Sequence, residues 1–286
     1  MRVARLTALL LALAWPFVAA AQAAVDGGDA PADWAARFER EVDRRLQPPL
    51  DEQAHYAERL QRALAAAHVR IERAQFVLLV DRSAFVQAIL LWWVGADARP
   101  AFVGASPVSS GRPSGFDHFE TPLGAFEHSL ANPDFRAEGT RNVQGVRGYG
   151  DRGMRVYDFG WVLARRGWAP GEQLMRLQMH ATDRALLEPR LGQRASKGCI
   201  RIPHALNLFI DRHGVLDAAY DEALAQGRGQ WVLRPGHVPN PWAGRWLVVI
   251  DSERTERAAW APVLQPRTGR VPAAAAASTP ASAAAR

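Results

Sequence analysis

Cysteine and lysine are nearly absent from this chain. Its 35 lysines plus arginines include a single lysine, Lys197, and its single cysteine, Cys199, stands two positions further on. One cysteine excludes an intramolecular disulfide framework. No paired-cysteine or His-Glu-x-x-His spacing occurs, so a zinc site is not expected. Past the first two dozen residues no stretch reaches about 18 consecutive apolar residues, so a soluble mature protein without stable membrane insertion is expected. Internal repeats are missing too. The basic residues form no stripe interleaved with aromatics, which argues against nucleic acid as a partner.

What is present begins with "MRVARLTALLLALAWPFVAAAQAA", residues 1–24. A basic start (Arg2, Arg5), an apolar run broken by Pro16 and a small-residue site at Ala21-Gln22-Ala23 make this a secretory signal peptide. An exported protein is therefore expected. The net charge of +6 falls to +4 once Arg2 and Arg5 are subtracted, a mild basic balance. Residues 25–74 read as a short polar linker and two amphipathic helices, the first carrying Trp34, Phe38, Val42 and Leu46 at four-residue spacing, the second following Pro48-Pro49. From Gln75 the texture turns β-branched and aromatic. Breaks at Asp81-Arg82-Ser83 and at 95–100 separate strands, and "MRVYDFGWVLARRGW" and "EQLMRLQMH" read as two more. In the last of these Met175, Leu177 and Met179 alternate with Arg176, Gln178 and His180, which puts His180 on the polar face at the strand's end. "PHALNLFIDRHGVL" reads as a helix with Pro203 at its start, "GRWLVVIDSE" as a final strand within a C-terminal extension (236–265), and residues 266–286 as a disordered Ala/Pro-rich tail.

The cluster "RASKGCIRIP" carries the chemistry. A lone cysteine in an oxidising compartment is paired with another chain, buried, or used. A used one must be deprotonated, by a base or a neighbouring cation. His180 is a candidate base, since residues 181–198 are long enough to turn back. Lys197 is either a charge that poises Cys199 or a solvated loop lysine. Gly198 allows close approach, the Gly198 and Cys199 amides can face a developing oxyanion, and Arg201 can hold a carboxylate in a fork. On these residues alone, nucleophile and inert buried thiol both stand. Trp92, Trp93, Trp161 and Trp168 read as sheet packing, with a sugar platform as the alternative. His118 and His128 read as surface residues that could also line a cleft, and "GVRG" and "GYGDRG" as plain loops.

The segment from His180 to Arg201 resembles the signature of the L,D-transpeptidase (YkuD-like) catalytic domain: a His, 15 residues, then Ser196-Lys197-Gly198-Cys199 with Arg201 two beyond. A second block agrees, Val108-Ser109-Ser110-Gly111 followed by Thr121-Pro122-Leu123-Gly124-Ala125-Phe126. The resemblance covers roughly residues 75–235 and leaves a long stretch between the blocks, about 128–173, outside any shared motif. It implies a mainly β, β-rich α+β fold: a curved mixed sheet or sandwich with the cysteine loop at one end, behind an N-terminal helical segment. It implies Cys199 as nucleophile, His180 as general base, and Ser196, Lys197, Gly198 and Arg201 as substrate or oxyanion residues. It implies peptidoglycan stem peptides as substrates, a lipoprotein among the possible acceptors, carbapenems as covalent inhibitors, and no cofactor. Lys197 departs from the family, which usually has a second His there. The acceptor stays open between cross-linking, anchoring, exchange and water, and a hydrolase or a non-catalytic wall scaffold remain alternatives.

Overall fold

A computed structural model describes residues 31–264. The signal peptide, most of the linker and the Ala/Pro-rich tail lie outside the described residues. The fold is α+β and rich in strands. Helices α1 (Pro31–Glu41) and α2 (Leu50–Ala66) precede β1 (Gln75–Asp81), β2 (Ala88–Val94) and β3 (Pro100–Pro107). Then come β4 (Gly124–Glu127), β5 (Phe135–Arg136), β6 (Arg155–Arg165), β7 (Glu172–Ala181) and β8 (Ile200–Ile202). Helices α3 (His204–Arg212) and α4 (Ala218–Ala225) follow, and β9 (Trp246–Ile250) ends the order. Among the described residues no helix is long and apolar enough to cross a membrane.

Two mixed sheets form, ordered β3-β2-β1-β9-β4 and β5-β6-β7-β8. Strand β1 is buried along its whole length because both faces are covered. Phe76, Leu78 and Val80 point into the space between the sheets, meeting Leu177 and Met179 of β7, Ile200 and Ile202 of β8, and Phe209 of α3. Val77 and Leu79 point the other way, beneath Tyr56, Leu60 and Leu64 of α2. An uninterrupted apolar run is what such a two-sided strand requires.

Two sequence expectations change. The four-residue stripe does dock its face, with Trp34, Phe38 and Val42 buried, but α1 ends at Glu41. Leu46 instead joins the edge of β3, its N–H bonded to the Ala105 carbonyl at 2.9 Å, which gives that otherwise open strand edge a partner. The strand expected in a C-terminal extension, β9, lies between β1 and β4, parallel to the first and antiparallel to the second. The stretch 128–173 holds β5 and β6, and β6 is the long antiparallel partner of β7.

Candidate catalytic site on the outer face of the second sheet

The register of β7 and β8 assembles the site. These strands run parallel with His180 opposite Arg201 and Met179 opposite Ile200. Alternation then sends Met179, Ile200 and Ile202 into the core and puts His180, Gln178, Arg176, Arg201 and Cys199 on the outer face. The two sequence blocks close around the cysteine loop through the backbone. Ser109 bridges Arg201, Gly111 bridges Ser196, and the Ser110 carbonyl accepts from the amides of both Ala195 and Ser196. Buried Thr121 accepts from the Gly111 N–H at 2.8 Å and donates to the Gly198 carbonyl at 2.6 Å. Gly198 sits at φ +135°, and a Cβ there would lie 2.7 Å from the Met175 sulfur, so the turn admits no other residue without strain.

The electrostatics differ from a pre-formed thiolate. Cys199 is half-buried, and its Sγ–H faces the Arg176 carbonyl at 3.8 Å. Burial pushes the thiol up, outweighing a backbone hydrogen bond at Gln178 and the charge of Arg201. His180 is 5% exposed, and burial lowers it to about 4. Its Nδ1 donates to the Ala181 carbonyl at 2.6 Å, so the neutral ring keeps Nε2 as an acceptor. The resting state is thus a neutral thiol and a neutral imidazole. Among the described residues the Arg201 guanidinium makes a long 3.4 Å hydrogen bond to the Ala195 carbonyl and pairs with no carboxylate.

Three expectations for the cysteine loop, and one for His128, are corrected or narrowed. Lys197 is exposed and bonds Asp117 at 2.6 Å, and the cation acting on the thiol is Arg201. The Gly198 N–H is already donated to Ser196 Oγ at 3.0 Å, which removes it as an oxyanion donor. Ser196 is buried and also donates to the Cys199 carbonyl at 2.5 Å, so it shapes the turn. His128 is fully buried, bonded to Asp134 at 2.8 Å and to the Leu216 carbonyl, and lines no cleft. His118 lies on the surface as expected, held by the Phe116 carbonyl.

Sequence reasoning missed four residues. Tyr149, in the discounted "GYGDRG" loop, packs edge-on against His180 at 4.6 Å and donates to Gln178 Oε1 at 3.1 Å. Burial raises its phenol, and an ionised Cys199 would raise it further. Gln178 Nε2 and Arg176 Nε both donate to buried Asp158 at 2.7 Å. The signal for these was the polar half of the β7 alternation, which names Arg176 and Gln178 with His180. Tyr149 also forms a wall of a cavity of about 580 Å³ lined by Phe135, Arg141 and Asn142. Among the described residues no group of three or more His, Cys, Asp or Glu is placed to hold a metal ion.

Fold and site together define a β-rich α+β protein with a cysteine and a histidine on one sheet face. No family model and no curated protein matches the chain. Among solved structures it is similar to the helical cell shape determining protein Pgp2 from Campylobacter jejuni, with 11% identity and a TM-score of 0.29. The match covers 80% of this chain, which spans 57% of that one.

Proposed function

We propose that this chain is a periplasmic cysteine L,D-transpeptidase that forms peptidoglycan cross-links from stem-peptide donors. The observation that carries the proposal is the shared outer face of β7 and β8, which bears Cys199, the His180 ring with Nε2 unengaged by any described residue, and Arg201, which pairs with no described carboxylate.

In the first half-reaction the carbonyl of the stem peptide's diaminoacyl residue lies against Cys199, and Arg201 holds a donor carboxylate. As the S–C bond forms, His180 Nε2 takes the thiol proton. A positioned base of this kind contributes about 10²–10⁴ in rate. The tetrahedral intermediate collapses, the C–N bond to the terminal D-amino acid breaks, and the departing amine takes the proton from His180. In the second, an acceptor amine attacks the thioester, the C–S bond breaks, and the amine's proton passes through His180 to sulfur. Water in place of the amine gives a carboxypeptidase, and a lipoprotein lysine gives anchoring.

Intact mass after incubation with a carbapenem is the first test. One drug adduct, lost in Cys199→Ala, is expected; an unmodified wild-type protein refutes the proposal. Disaccharide-tetrapeptide substrate then distinguishes a cross-linked dimer from a tripeptide hydrolysis product.

A further inference from the structure

We propose that Trp161, flanked by Leu163 and Leu174, is the platform on which a sugar ring of the donor stacks while its stem peptide reaches Cys199. This rests on the function proposed above and assigns the donor side of that site.

The platform exists because β6 is broken in register between Asp158 and Trp161. Strict alternation would send Asp158 outward and Trp161 into the core. The irregularity, with Gly160 at φ +82°, keeps Asp158 facing Gln178 and turns Trp161 outward opposite Arg176. Val162, Ala164 and Phe159 take the inward places. The other three tryptophans considered from sequence pack as expected: Trp92 is buried, and Trp93 and Trp168 lie against the core. Trp161 does not. It is 63% exposed, and Leu163 and its cross-strand partner Leu174 are 59% and 55% exposed on the same face. Three large apolar side chains held in water on neighbouring strands mark a binding surface.

That surface is continuous with the candidate site. The guanidinium of Arg176 lies 6.0 Å from the Trp161 ring centre, and the carbonyl of the same residue faces the thiol. Trp161 on β6 and Cys199 just before β8 flank β7, two strand spacings or roughly 10 Å apart across the sheet and offset by two residues along it. Three extended residues also span about 10 Å, and three residues lie between the sugar and the bond broken in a disaccharide-tetrapeptide. The chemistry suits a sugar. Its ring C–H groups are weakly positive and lie against the negative face of an indole, and Arg176 adds donors for hydroxyls at the rim. A second copy of this chain is the poorer occupant, because three side chains fall well short of the roughly 800 Å² per partner of a stable interface.

The test compares Cys199 acylation, read by intact mass over time, with disaccharide-tetrapeptide and with the sugar-free tetrapeptide. Wild type is expected to prefer the sugar-bearing donor at least tenfold in kcat/KM. Trp161→Ala should bring that donor down to the sugar-free level, and Trp161→Phe should retain most of the preference. An equal loss on both donors in Trp161→Ala, or no preference in wild type, overturns the platform while leaving the transpeptidase proposal standing. So does a dimer by sedimentation that dissociates in Trp161→Ala. A wild type that neither donor acylates overturns the parent proposal, and the platform with it.

Discussion

A thiol and an imidazole that are both neutral at rest leave a distinctive pH signature. Burial takes His180 from 6.5 to about 4, a shift worth about 3 kcal/mol against forming an imidazolium in place. An ordinary thiol is only about 3% ionised at pH 7, and Cys199 is raised above the ordinary value, so less thiolate is present. Alkylation by iodoacetamide, followed by intact mass from pH 4 to 10, should therefore climb about tenfold per pH unit through neutrality without a plateau. Acylation by a carbapenem, where Nε2 removes the proton during attack, should be flat through neutrality and fall only as His180 protonates near pH 4. His180→Ala should lower that acylation by about 10²–10⁴, or about 3–5 kcal/mol. Stability carries the same sign. With the folded value below the unfolded one, protons bind the unfolded chain first, and about 3 kcal/mol is lost as pH falls from about 6.5 through about 4. That loss should be missing from His180→Asn. An alkylation plateau between pH 5 and 8 would mark a thiolate–imidazolium pair and refute this electrostatic picture.

Two further outcomes bear on the surroundings. Lys197→Ala removes an exposed ion pair with Asp117, so stability should change by less than about 1 kcal/mol and the alkylation profile should keep its midpoint; a shift of the midpoint would restore Lys197 as the cation that poises the thiol. Arg155 is fully buried between Asp134 and Asp217, each 2.7 Å away, and Asp134 in turn accepts from the Asp158 N–H at 2.9 Å. Arg155→Met strands these carboxylates and should cost about 3–5 kcal/mol, read as a melting point roughly 10 °C lower, whereas a shift below about 2 °C would mean the network carries little of the stability.

Much of the scaffold was legible because its causes are local. Side-chain alternation identified β7 and told its core face from its polar face, and the β-branched, aromatic texture from Gln75 onward identified strands, among them β1. The Pro48-Pro49 break separated two helices whose apolar stripes do face the core. The ends were less legible. Leu46 continues the spacing of α1 yet leaves the helix, and the otherwise open edge of β3, 59 residues away, supplies the partner for its amide. Strand β9 looked like an appendage since nothing in its own sequence announces that β1 and β4 leave a gap between them.

By itself the sequence determined which residues are the candidates for chemistry, one cysteine and a histidine at the end of a strand, and the two ordered blocks whose backbones close around the cysteine loop. Only the tertiary structure decided that Tyr149 packs on His180, that Lys197 turns to Asp117 while Arg201 shares the sheet face of Cys199, and that an irregularity in β6 carries Trp161 out of the core. The reason is physical. Periodicity and turn preference act between near neighbours in the chain, whereas burial, ion pairing and proton affinity depend on which distant segments arrive at the same place.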